Sequence, residues 1–493
     1  MSKRSMPATV VGEYAYRRVS AGLARLIENG TLRAGDRMPS VRELCRRERV
    51  SPATVLQAYA ELERTGLIEV RERSGHYVRP RSLSHVGAES APRTLPPDTE
   101  PTLVGVSDEV ARLLEQAANP ALVLLGAAVP AQELLPVAEL TRTLTAAARR
   151  EPEAIGQYSF AGGHPALRRV LAARFVALGC EIAPDEITIT AGGMEALNLA
   201  VRAVTRPGDI VVVETPGYFG ILEILESLGL KALPVPGDCV HGLDLRALAQ
   251  ALEDHPVKAV MLVTSYSNPT GACLTPERRA ELVELLVDHG VPLIEDDIYG
   301  DLGFGPERPR PAKAWDRAGE VLYCGSFSKS LAPGLRLGWV AAGRFRERVC
   351  RLKNITSVGT AGPTQAGLAD YLQTQAYDRH LRRLRRAFAH QTRMMREAVL
   401  EHFPAGTSAS NPEGGCFLWV QLPAGVDATE LQRLAAERGV SIAPGPLFCP
   451  HGNYRNYVRL GCGLPWTPRI EAAVRTVGEL AGRLARPRVR TRK

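Results

Sequence analysis

The sequence predicts an α/β body behind a small winged helix-turn-helix head. Three observations carry this expectation. Short apolar runs, "DIVVVE", "KAVMLVT", "VPLIED" and "VLYCGSF", alternate with helical stretches such as "PERRAELVELLVDHG", the pattern of a mostly parallel sheet covered on both faces. A polar cluster follows each run: Pro216–Tyr218, Asn268–Gly271, Asp296–Tyr299 and Ser326–Lys329. Ahead of all this, two capped helical segments and a short alternating hairpin fit into the first 80 residues.

The head spans residues 10–80. Val19, Leu23, Leu26 and Ile27 recur at helical spacing, with Asn29-Gly30 as the expected stop. "PSVRELCRRE" opens on Ser40, with Glu43 three residues later, as in a capping box. The next helix opens on Ser51 as N-cap, with Pro52 at its first position, where a missing N–H costs nothing. Val55, Tyr59 and Leu62 form its apolar face, and Gly66 ends it. "LIEVRERSGHYV" then alternates around a Ser74-Gly75 turn.

Residues 81–103, rich in Pro, Ser and Ala, read as a linker. As flexible coil, about 20 residues span roughly 25 Å. The body follows as 104–482. From about residue 385 its pattern turns mixed, with "GGCFLWVQLP" and "NYVRLGCG" as strands of a smaller α+β C-terminal subdomain. Residues 483–493, with six basic residues and no acid, read as a disordered tail.

Charge divides the same way. Residues 1–81 carry a net +7 and 82–482 a net −5, within a chain of +8. A basic head on a mildly acidic body points to a polyanion as the head's partner. No run of 18 or more apolar residues offers a membrane span, and "MSKRSMPATV" lacks the apolar core of a signal peptide. The nine cysteines show no C-x-x-C pair or metal-ligand spacing. They read as reduced thiols of a cytoplasmic protein, with no metal site expected.

Ligand sites of open α/β sheets lie beyond the carboxyl ends of the strands, and four strands deliver polar groups there. A cofactor with an aldehyde, a pyridinium nitrogen and a phosphate needs an amine, a carboxylate and a phosphate cradle. Lys329 can form the Schiff base, and Asp296 can pair the ring nitrogen. Asn268 and Tyr299 can reach the phenolic oxygen, and Tyr218 can stack on the ring. Arg336, Ser326, Ser328 and the backbone N–H groups of "TAGGMEAL" can take the phosphate.

On "SNPTG", "EDDIYGDL", "SFSKSLAPGLRLGW" and "YVRLGCG", residues 104–480 resemble the aspartate-aminotransferase superfamily, the fold type I enzymes of pyridoxal 5′-phosphate. The resemblance implies that Lys329 holds the cofactor as an aldimine and that Gly193, Met194, Ser326 and Arg336 bind phosphate. Arg459 would clamp a substrate α-carboxylate. Tyr158 would reach the phosphate of a neighbouring subunit, so a homodimer is implied. The family's D-x-x-Y spacing selects Asp296 for the ring nitrogen, with Asp297 as the alternative. Met194 stands where the family often has a hydroxyl residue.

The head resembles GntR-type winged helices along "GTLRAGDRMPSVRELCRRERVSPATVLQAYAELERTGLIEVRERSGHYV". Its DNA contacts would come from Ser40, Arg42, Ser51 and Thr54 at the helix starts and from Arg73 and His76 on the wing. Pro52 and Leu56 stand where members often carry arginines, with Gln57 as a substitute reader. The combination resembles the MocR regulators. It implies a transcriptional regulator that binds double-stranded operator DNA as a homodimer and senses a small amine or amino acid through the cofactor. Two other readings stay open: an aminotransferase with a secondary DNA-binding head, and a DNA-binding protein with a purely structural cofactor.

Overall fold

A computed structural model describes residues 9–28, 31–32, 36–64, 67–71, 75–78, 91–95, 100–160 and 162–486. The chain separates into two units, 1–88 and 89–493.

In the head, α1 (Thr9–Glu28), α2 (Val41–Glu48) and α3 (Pro52–Arg64) precede a hairpin of β1 (Ile68–Arg71) and β2 (Gly75–Val78). The strands pair antiparallel, from Ile68 opposite Val78 to Arg71 opposite Gly75. Ser40 caps α2 by accepting from the Glu43 N–H at 3.2 Å. Ser51 does the same for α3 through the Thr54 N–H at 3.2 Å. Val19, Leu23, Leu44, Val55, Tyr59, Leu62, Ile68 and Val78 form one core, so both caps direct apolar faces inward. Asn29, Gly30, Gly66, Arg73 and Ser74 lie outside the described residues.

The body's large sheet is mostly parallel, as expected. Lys231–Asp238, Ile210–Thr215, Val257–Leu262, Leu293–Asp296 and Val321–Ser326 lie side by side in parallel. Gly338–Ala341 then runs antiparallel between Val321–Ser326 and Ile187–Thr190. A second, antiparallel sheet of Ser408–Ala409, Phe417–Gln421, Tyr457–Gly461 and Ala443–Pro444 forms the smaller subdomain. One core cluster holds residues of both sheets, Ile294 and Cys324 with Phe417, Trp419 and Tyr457, and so joins the subdomains.

Two expected boundaries are corrected. Residues 91–95 and 100–103 of the expected linker 81–103 belong to the body. The Arg93 N–H donates to Gln421 Oε1 at 2.9 Å, and the Tyr457 hydroxyl donates to the Arg93 carbonyl at 2.8 Å. Thr94 Oγ1 donates to the Gly237 carbonyl at 3.1 Å, and Thr102–Leu103 pairs antiparallel with Lys231–Asp238 at the sheet edge. Composition marked this segment as polar and Pro-rich, but backbone bonds to distant residues anchor it. The basic tail also starts later than residue 483. The last helix runs Pro468–Ala485, because Leu480, Ala481 and Leu484 pack on the small subdomain's core.

The caps yield a test. Removing an N-cap hydroxyl costs about 1 kcal/mol, so Ser51→Ala should speed amide exchange in the first turn of α3 about fivefold. Exchange in the body should not change. Hydrogen–deuterium exchange with peptide resolution reads both.

Candidate functional site

The rim of the large sheet collects the expected groups. Asp296 and Ser326 are the last residues of their strands, and Tyr218 caps the helix Phe219–Ser227 just beyond Ile210–Thr215. Asp296, Tyr299, Asn268, Ser326 and Arg459 are all buried. Asp296, Tyr218, Tyr299 and Arg459 lie close enough that each perturbs the ionisation of a neighbour.

Burial raises the Asp296 carboxyl to about 7, against the pull of the Ile298 N–H, which donates to Oδ1 at 3.1 Å. Among the described residues, no Lys or Arg nitrogen comes within ion-pair distance of Asp296. Asp297 is occupied elsewhere. Its Oδ2 accepts from Arg308 Nη2 at 2.6 Å and from the Tyr323 hydroxyl at 2.7 Å. Thus one adjacent carboxylate ties the loop down, and the other has no ion-pair partner among the described residues, with Lys329 as the cation that acts on it from farther away.

Lys329 Nζ donates to the Ala128 carbonyl at 2.9 Å. Burial pushes its ammonium below the usual lysine range, which favours the neutral, nucleophilic amine. Arg459 bonds to Asn268 Oδ1 at 3.3 Å and to the Gly126 carbonyl. Its guanidinium lies 5.3 Å from the Phe448 ring centre and 5.8 Å from that of Phe219. Its Nε is buried and has no partner among the described residues. A buried cation with an unused donor suits a carboxylate. Burial raises the Tyr299 hydroxyl well above its ordinary value, and that of Tyr218 to about 12. Both therefore stay protonated and able to donate.

The residues expected to cradle a phosphate bring together backbone and three side chains. Gly192 has φ 89° and leads into the helix Gly193–Val204. A Cβ at Gly192 would collide with the Arg336 guanidinium. Arg336 donates to Ser328 Oγ and to the Ala191 carbonyl, each at 3.3 Å, while Ser326 Oγ and Ser328 Oγ lie 2.8 Å apart. Helix N-terminal N–H groups, two hydroxyls and a guanidinium are the donors a phosphate takes. With a desolvated amine and an uncompensated carboxylate beside them, they fit the pyridoxal phosphate that the residues imply.

Sequence reasoning missed three features. Glu195 Oε2 accepts from the Ala191 N–H at 2.6 Å and from the buried Lys353 Nζ at 2.7 Å, and Ser357 donates to Oε1 at 2.7 Å. Burial pushes this carboxyl up, but those donors outweigh it and hold it below its usual range. The Gly126 and Ala128 carbonyls are the second. The third is Cys416, fully buried beside Lys329 and Arg459, its thiol pushed up to about 11 by burial. All three depend on pairings across the fold that leave no local signal. Two expected residues are exposed: Met194 at 37%, in the first turn of the helix Gly193–Val204, and Tyr158 at 74%, with the Phe160 ring 5.4 Å away.

In the head, Arg42 and Gln57 are exposed. Ser51 and Thr54 bond each other at 2.9 Å. The His76 ring packs 4.6 Å from Tyr59, which ties this wing residue to the head's core. Arg73 lies outside the described residues.

Comparisons with known proteins agree with this geometry. Residues 123–466 match the family "Aminotransferase class I and II", and residues 15–78 match "Bacterial regulatory proteins, gntR family". The chain is 41% identical to the uncharacterized HTH-type transcriptional regulator YdcR of Escherichia coli, covering 94% of this chain and 98% of that one. The chain belongs to the class I and II aminotransferases, in their MocR-type regulator branch. It is 32% identical to the HTH-type transcriptional regulator TauR of Rhodobacter capsulatus, over 88% of this chain and 90% of TauR. Among solved structures, the multiple substrate aminotransferase of Thermococcus profundus aligns at TM-score 0.71 and 30% identity, covering 76% of this chain and 95% of that one. LysN of Thermus thermophilus, solved with N-(5′-phosphopyridoxyl)-L-leucine, aligns at 0.69 and 27%, over 77% and 99%. This MocR-type chain is a DNA-binding regulator with an aminotransferase-like domain, and no helix among its described residues is long and apolar enough to cross a membrane.

The paired aspartates give a contrast in stability. Asp296 has a folded pKa near 7, above the unfolded value of about 3.9. It therefore costs the cofactor-free fold stability as pH rises from about 4 to 7, with no further loss above. The melting temperature of Asp296→Asn relative to wild type should climb across that window and then level off. Asp297→Asn leaves Arg308 short of a buried partner and should cost about 3 kcal/mol at neutral pH. Thermal melts of the cofactor-free variants across pH check both signs.

Proposed function

We propose that the regulator holds pyridoxal 5′-phosphate at the rim and reports the binding of a carboxylated amine to the head's DNA. When bound, the cofactor supplies an aldehyde that exchanges one amine for another and a ring that draws electrons from the attached carbon. Lys329 presents the amine that the aldehyde takes. Asp296 would pair the ring nitrogen, whose proton would supply the ion-pair partner that this carboxylate does not have among the described residues. Asn268 and Tyr299 donate toward the phenolic oxygen, and Tyr218 covers the ring. Gly193, Met194, Ser326, Ser328 and Arg336 would hold the phosphate.

The observation that carries this reading is Arg459, buried beside the amine with an unused Nε. Two phenyl rings flank it, which favours an effector with one carboxylate and an otherwise uncharged body. Ile155, Tyr158 and Phe160 are all more than half exposed on one short segment, which supports a homodimer with Tyr158 reaching the partner's phosphate. Two heads on one dimer would bind paired half-sites with raised effective concentration. Direct and inverted repeats both fit, and the effector biases binding only by favouring one dimer state over another. A second reading, amino transfer to a 2-oxo acid, is favoured by the intact set of Lys329, Asp296, Tyr299 and Arg459.

Borohydride reduction of the pyridoxal-phosphate-loaded chain, followed by mass spectrometry, should place the pyridoxyl mass on Lys329. A label on another lysine would overturn the assignment. Arg459→Ala should weaken the response to carboxylated amines by about 10- to 150-fold, the worth of a charged hydrogen bond, with the Lys329 label retained. Turnover with an amino acid and a 2-oxo acid would favour the second reading.

A further inference from the structure

α3 buries Val55, Ala58, Tyr59 and Leu62 and turns Pro52, Ala53, Leu56, Gln57 and Ala60 outward. None of those five outward residues is charged. Leu56 is 53% exposed, although the head has an apolar core on the other face of the same helix. Among the described side chains, the head's exposed cations sit on other elements: Arg17, Arg18 and Arg25 on α1, Arg37 ahead of α2, Arg42, Arg46 and Arg47 on α2, and Arg49 at the C-cap of α2. A single exposed leucine means little on an ordinary surface. Here it lies on the second helix of a helix-turn-helix, the element that enters the major groove.

The separation of charge from apolar surface matches how the groove is built. Phosphates take cations and fix the register, while base edges on the floor carry the sequence. Guanine O6 and N7 are read by arginine or lysine, which this face lacks. The one major-groove feature that a branched apolar side chain can read is the C5-methyl of thymine. We propose that Leu56 reads a thymine methyl in each half-site, leaving Gln57 as the amide donor and acceptor on that face. The inference rests on the DNA-binding reading of the head and names what that head selects.

The test uses the full chain loaded with pyridoxal phosphate. Duplexes are selected from a random pool, and each thymine of the selected half-site is replaced by deoxyuridine, which deletes only the methyl. Binding is measured at one fixed salt concentration. At one thymine per half-site, the change should weaken wild type about fourfold per half-site, the worth of one buried methyl. Leu56→Ala should bind the thymine and uracil duplexes equally, and Val70→Ala, at an exposed apolar residue of the hairpin, should keep the wild-type difference. Leu56 is exposed, so its truncation leaves the head's core intact. Uracil tolerated at every position, or sensitivity that persists in Leu56→Ala, overturns the inference while the DNA-binding reading stands. A pool with no sequence enriched would instead remove the reading on which it rests.

Discussion

Asp296 ends a strand whose four residues are all buried, and among the described residues it receives one backbone N–H and forms no ion pair. A carboxylate in that position is uncomfortable in its charged form, and the lysine amine beside it is equally short of solvation. Both strains have one source. A parallel sheet covered on both faces can present polar groups only at the carboxyl ends of its strands, where the surrounding helices and the second subdomain keep water away. A ligand that brings a ring cation and an aldehyde would relieve both groups at once, which is the physical basis of the proposed cofactor site.

Fixed groups around that pair turn a reactive spot into a shaped site. The Arg308 and Tyr323 bonds to Asp297 hold the loop that follows Asp296 and carries Tyr299. Glu195, neutralised by Lys353, pins the Ala191 N–H so that the glycine turn stays open toward Arg336. Lys329 and Arg459 both grip carbonyls of the short segment Gly126–Ala128. That segment lies in sequence between the edge strand Thr102–Leu103 and the rest of the large sheet, and it runs beside the small sheet, since the Gly461 N–H donates to the Leu125 carbonyl at 2.6 Å. Any ligand that competes for Lys329 and Arg459 therefore acts on the seam between the subdomains.

Much of this was legible in the sequence because it is local. Helix caps at Ser40 and Ser51 are written within four residues, and the buried strands are written as apolar runs that end in Asp296 and Ser326. The glycine turn at Gly192 and the lysine stretch around Lys329 carried the cofactor reading for the same reason. What stayed hidden is long-range. Nothing near Arg93 or Thr94 announces bonds to Gln421 and Gly237, so a Pro-rich stretch read as free linker. Nothing near Glu195 announces Lys353, 158 residues away. The choice between Asp296 and Asp297 rested on family spacing in the sequence, and in the structure only Asp297 has an arginine partner.

Joining the two halves of the chain is a statement about free energy. If effector and DNA each favour one state of the same dimer, each must change the affinity of the other by an equal factor. The direct measurement takes an amino acid that alters the visible absorbance of the pyridoxal-phosphate-loaded full chain. Its affinity is titrated with and without saturating operator, and DNA affinity is titrated with and without saturating amino acid. The account predicts two matching factors of about fivefold or more. Two affinities that are each indifferent to the other ligand would contradict it.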